Sequence, residues 1–110
     1  MSFDEQESVI VITEASAPLE AFLSEMVDAY DKIHHKNLIV DLSSRGELAL
    51  HDLLLFRKIS DRHKKKKKSF VIVNDTIHHD EIPEALVVVP TIQEAYDIIA
   101  MEDIERDLGF

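Results

Sequence analysis

The sequence predicts an α/β sandwich on a mostly parallel, four-stranded sheet with about three to four helices. Three observations carry that expectation. Short β-branched runs alternate with longer stretches of helical spacing along the whole chain. Two of those runs, "NLIVDLS" (37–43) and "SFVIVND" (69–75), are apolar at consecutive positions, the pattern of strands buried on both faces in a parallel sheet. Only two glycines and three prolines occur in 110 residues, so connections are short and no linker divides the chain. The expectation is one domain over 1–110, with 101–110 as a candidate docking tail.

Residues 8–13, "SVIVIT", bounded by acids, make the first strand. In "ASAP", Ser16 offers a helix cap with Pro18 in the first turn. Leu19, Phe22, Leu23, Met26, Val27, Tyr30 and Ile33 then recur at helical spacing as one apolar stripe. After the strand at 37–43, a second helix runs from about Leu50 to His63, its core stripe being Leu53, Leu55, Phe56 and Ile59. The strand at 69–75 leads into "TIHHDEIPEA", which is short and polar enough for a loop with one helical turn. "LVVVP" (86–90) is the fourth strand, and "TIQE" supplies a capping box, with Thr91 as the cap and Glu94 reaching back.

In the final helix Ile92, Ala95, Tyr96 and Ile99 share one face, whereas Met101, Ile104 and Leu108 fall roughly opposite. Either the helix kinks near Ala100 or its last turns carry a separate apolar stripe. Gly109 stands at a C-terminal cap, with Phe110 placed for the accompanying apolar contact. The stripe Met101, Ile104, Leu108 and Phe110 reads as packing on its own domain or as a docking surface in an acidic frame.

Apolar residues make up 45% and charged residues 31%, the balance of a globular chain. The absence of cysteine excludes disulfides, thiolate metal sites and a cysteine nucleophile. The start, "MSFDEQESVIVIT", is acidic and its apolar run short, unlike an export signal or a membrane span, so a cytoplasmic location is expected. A formal net charge of −10 opposes general nucleic-acid binding. Against that background Lys64 to Lys68 hold five of the twelve basic residues. They read as a solvated helix end complementing the helix dipole, or as a contact for an acidic partner or RNA.

The conspicuous metal candidates are His34-His35 and, more so, the loop residues His78, His79 and Asp80. Adjacent histidines on a helix diverge by about 100° and chelate poorly, and no HExxH or HxHxDH run occurs. With Gly46 and Gly109 alone, neither a P-loop, a dinucleotide fingerprint nor a G-x-S-x-G elbow can be built. Glu14, Ala15 and Ser16 after the first strand also lack the paired acids of a receiver domain. No complete catalytic motif exists, and no cofactor is expected.

The run "LIVDLSSRGELALHDLLLFRKISDRHKKKKKSFVIVN" resembles the central segment of STAS domains, the fold of anti-sigma factor antagonists. In that family a strand ending in D-L-S leads over a short loop to a helix starting near D-S-S-G, then a basic helix end and a strand ending in V-N. Asp41, Leu42 and Ser43 match the first strand end, Leu48 the apolar residue before the helix, Leu53 the first core leucine, and Val73-Asn74 the later strand end. The likeness covers most of the chain, with a shortened N-terminal hairpin and a much reduced third helix. The family's phosphoacceptor serine falls at His51, and D-S-S-G reads Ala49-Leu50-His51-Asp52, so the resemblance implies a switch lacking its hydroxyl. Asp52 reads as a helix-capping acid or as a fixed negative charge standing in for phosphate. The C-terminal third is similar to the ending of short bacterial STAS-like proteins often labelled ribonuclease Z, which makes that nuclease a candidate partner rather than an activity.

The expected function is a regulatory, non-enzymatic protein–protein interaction module, its partner an anti-sigma-like or other regulatory protein. The expected surface comprises Ser44, Arg45, Gly46, Leu50, His51, Asp52, Leu54 and Arg57, with the Met101–Phe110 stripe as the second. Two alternatives stay open. One is an accessory subunit or small enzyme with a metal site drawn from His51, His78 and His79. The other is a small-ligand pocket lined by Ser43, Ser44 and Asp75.

Overall fold

A computed structural model describes residues 1–109, with every side chain except that of His79. The strands β1 (Ser2–Glu5), β2 (Val9–Thr13), β3 (Asn37–Asp41), β4 (Phe70–Val73) and β5 (Val87–Val89) form one α/β sheet in chain order. Neighbours from β2 to β5 pair parallel, so Ile39 lies beside both Val11 and Val71. The sheet is therefore mixed and has five strands where the sequence pattern predicts four: β1 adds antiparallel to β2, Phe3 opposite Ile12. Periodicity misses β1 because all four of its residues are exposed, so no burial pattern marks "SFDE". Backbone pairing holds it, with a tight turn closed by Gln6 N donating to Val9 O at 2.7 Å and Glu5 lying 3.4 Å from Lys36 Nζ.

Successive strand residues point to opposite faces. Ile10, Ile12, Leu38, Val40, Phe70 and Ile72 face α1 (Leu19–Ile33), α2 (Leu50–Leu54) and α3 (Arg57–Lys65), which close the larger core with Phe22, Met26, Tyr30, Leu53 and Ile59. Val9, Ile39, Val71 and Val73 face α4 (Ile92–Asp107), which covers them with Ala95 and Ile99.

Several local expectations change. Ser16 does not cap α1; its amide and that of Ala17 donate to Glu14 Oε1, and Pro18 occupies the cap position with no side-chain bond. The helix expected over 50–63 is two helices. Phe56 N donates to Leu53 O at 3.0 Å, an i to i−3 bond that tightens the turn and lets Leu53 and Phe56 both be fully buried. Leu55, expected in the core stripe, is only half-buried. The loop at 76–85 contains one 3-10 turn, His79–Glu81.

The final helix runs unbroken from Ile92 to Asp107, so there is no kink at Ala100. Its cap forms as the pattern predicts, Glu94 N donating to Thr91 Oγ1 at 3.1 Å. Gly109, at φ +83°, closes it by donating to Arg106 O, and Phe110 lies outside the described residues. The lysine run ends α3. Lys67 N donates to Lys64 O at 2.9 Å and Lys68 N to His63 O at 3.4 Å, the paired bonds of a Schellman cap. Lys67 takes the left-handed position at φ +61°, which glycine normally fills. No helix among the described residues is long and apolar enough to cross a membrane.

Candidate functional site

The loop leaving β3 is shaped by side chains beneath it. Asp41 Oδ1 accepts from Ser43 N at 3.0 Å and from Ser43 Oγ at 2.6 Å, turning the chain into the 3-10 turn Ser43–Arg45. Gly46 follows at φ +73°, a conformation that strains any side chain. Asn74, at the end of β4 and buried, donates from Nδ2 to Leu42 O at 3.1 Å and to Gly46 O at 3.0 Å. Its Oδ1 accepts from Thr76 N and from the Thr76 hydroxyl, which in turn accepts from Leu48 N at 3.1 Å. All four hydrogen bonds of the Asn74 amide are thus satisfied, and they fix both ends of the loop to one strand end. Arg45 donates to Ala17 O, tying the loop to the segment before α1.

Above this platform α2 begins. Asp52 Oδ2 accepts from Ala49 N at 2.8 Å, so the carboxylate caps the helix start from within the first turn. His51, at the position the STAS pattern gives to serine, projects with 81% of its side chain exposed and Nε2 3.3 Å from Asp52 Oδ1. Leu50 and Leu54 are 44% and 42% exposed, one turn apart. Arg57, the first residue of α3, is exposed and 3.8 Å from Asp61. Ser44 and Gly46 are exposed, Arg45 and Asp52 half-buried. The residues of the first predicted surface thus lie on the loop after β3, on α2 and, at Arg57, on the start of α3.

The second predicted stripe is also on the outside. Met101, Ile104 and Leu108 are 57%, 58% and 66% exposed, on the side of α4 away from Ala95 and Ile99. The other expected groupings are less coherent. Asp75 lines a hollow of about 210 Å³ with Ile77, Ile82 and Val88, while Ser43 and Ser44 lie outside it. His78 and Asp80 are exposed, the side chain of His79 lies outside the described residues, and no metal-ligating trio occurs among the described residues.

The histidine with the most structured environment belongs to neither predicted surface. His63 is fully buried at the end of α3. Its Nε2 is 2.8 Å from Lys36 O, which can only accept, so Nε2 carries the proton. Its Nδ1 then accepts from the Tyr30 hydroxyl at 2.7 Å. Burial pulls the imidazole down to about 4, and the nearby ammonium groups of Lys68 and Lys66 add to that, against the favourable bond to Lys36 O. Burial also pushes the Tyr30 hydroxyl up, opposed by the Arg62 guanidinium 4.3 Å above its ring. The available signal was the continuation of the core stripe, since His63 lies four residues beyond Ile59. Buried and neutral, this pair joins α1, α3 and the start of β3. No family model matches the chain, and a search of curated proteins finds no match.

Proposed function

We propose that the chain is a non-enzymatic, STAS-type interaction module of bacterial regulation, working in the cytoplasm and reading a protein partner through the loop after β3 and α2. The observation that carries this is the pair Leu50 and Leu54, exposed on a helix start whose preceding loop is locked from below by Asn74. An apolar pair on a preformed loop binds with little ordering cost, which favours affinity. The N-terminal β1–β2 hairpin, the parallel strands after it and the reduced third helix agree with the STAS resemblance. The phosphorylation switch of that family has no hydroxyl at residue 51, and Asp52 is engaged in capping. The module is thus constitutive rather than phosphorylation-gated, its partner being an anti-sigma-like regulator or ribonuclease Z.

Affinity capture from the native host tests this directly. Leu54→Asp is expected to abolish capture of the partner while the variant still melts cooperatively. Capture that survived both Leu54→Asp and Ile104→Lys would remove both surfaces from consideration. Incubation with a serine kinase of the anti-sigma type is expected to leave residues 43–54 unmodified by mass spectrometry.

A further inference from the structure

We propose that the protein associates with itself head to tail, the acidic-framed apolar stripe of α4 on one copy seating on the basic-framed side of α2 and α3 on the next. The proposal rests on the interaction-module reading and names a second copy as one occupant of its two surfaces.

Exposed apolar side chains and charge are both sorted in this fold. Of the seven large apolar side chains exposed among the described residues, Leu50 and Leu54 lie on α2, and Met101, Ile104 and Leu108 on α4. The cations follow the first group. Residues 57–68 hold eight of the twelve lysines and arginines against one acid, Asp61; Lys64, Lys67 and Lys68 line a hollow with Glu102 and Glu105 of the same chain, whereas Arg57, Lys58, Arg62 and Lys65 are exposed along α3. The acids follow the second. Helix α4 holds six carboxylates against Arg106, and Glu94, Asp97, Glu105 and Asp107 are exposed. A chain of net charge −10 therefore carries one strongly basic flank, and its α4 presents the opposite charge with the same admixture of leucine-sized groups.

Geometry makes the contact intermolecular. The helices α2 and α3 cover one face of the sheet and α4 the other, so the apolar stripe of α4 cannot reach Leu50 and Leu54 within one chain. Two different patches in contact form a heterologous interface, which repeats into a ring or an open chain. A nucleic acid would satisfy the lysines and leave the leucines uncovered, whereas an acidic amphipathic helix satisfies both.

Sedimentation equilibrium of the purified chain, from micromolar to submillimolar, provides the test. At low salt the mass is expected to rise above the monomer with concentration, and to fall back as added salt screens the charges. Leu54→Asp and Ile104→Lys each shift the midpoint concentration up by about tenfold or more, because each sets like charge against the facing surface. Mixing the two variants restores a complex that stops at the dimer, since each retains one intact patch. Cooperative melting of both variants shows that the fold is kept.

A monomer at every concentration in low salt overturns the proposal. So does a Leu54→Asp variant that associates with the wild-type midpoint, or a mixture that does not pair although the wild type associates. Retarded migration of a labelled single-stranded RNA by a chain that remains monomeric assigns the basic flank to nucleic acid instead and also overturns it. Host partner capture that depends on Leu54, alongside a wild-type monomer, refutes self-association and leaves the interaction-module reading standing.

Discussion

At the carboxyl ends of the strands, the neutral side chains of Asn74 and Thr76 bond to backbone groups of the neighbouring loop, with Asp41 and Arg45 as its charged anchors. The amino ends use side chains that titrate or carry charge. Tyr30 bonds to His63, His63 to Lys36 O, and Arg106 reaches Ser69 Oγ at 3.0 Å, while Ser69 Oγ donates to Glu102 at 2.5 Å. The first arrangement fixes the shape of a loop and leaves its surface free. The second fastens α1, α3 and α4 to the starts of β3 and β4. One end presents, the other holds the helices in place, and the difference can be measured.

The largest effect is expected at the holding end. His63→Ala removes a fully buried ring and leaves the Tyr30 hydroxyl and Lys36 O without their partner. Cavity and lost bonds together should cost about 3–4 kcal/mol in urea denaturation. Asn74→Ala strips two carbonyls of their donor and Thr76 of its acceptor, removes a smaller side chain than His63, and should cost about 2 kcal/mol. If Asn74→Ala proved the costlier of the two, the division between ends would be wrong. Its signature is also different: partner capture should weaken through loop disorder even at temperatures where the domain remains folded.

The next prediction separates the ends by pH. The folded His63 imidazole is pulled to about 4, against 6.5 for an ordinary histidine. Between those values the unfolded chain binds a proton that the folded chain refuses. Stability is therefore full above about pH 6.5, falls as pH drops towards 4, and loses nothing further from this group below that. The loss should be about 3 kcal/mol; His63→Gln should lack it, so the difference between the two pH profiles should carry it in full. Asn74→Ala should leave the pH profile parallel to the wild type.

The presenting end was the legible one. Its anchors sit at strand ends that hydrophobic runs delimit, "LIVDLS" and "FVIVN", and its exposed leucines step off the core stripe at helical spacing. What escaped there was the break at Phe56, because an i to i−3 bond shifts the phase of the stripe without leaving a glycine or proline. The holding end was nearly silent. Tyr30 and His63 are 33 residues apart, and Arg106 and Ser69 37 apart, so no local pattern joins them. β1 escaped for a related reason: an edge strand held by backbone pairing and by Glu5 beside Lys36 needs no apolar alternation.

The smallest effect is a gain, and it lies where the holding end meets the basic flank. Lys67 occupies φ +61° with a side chain that favours the right-handed region, in a cap whose backbone bonds are already made. Glycine adopts that conformation without steric cost, so Lys67→Gly should stabilise the domain by about 1 kcal/mol. Part of that gain is offset by the greater freedom glycine gives the unfolded chain. Lys67→Ala separates backbone from charge: it removes the ammonium group while keeping the strained angle, and should leave stability within about 0.5 kcal/mol of wild type. A gain for glycine and none for alanine would show that the lysine is held at a backbone cost.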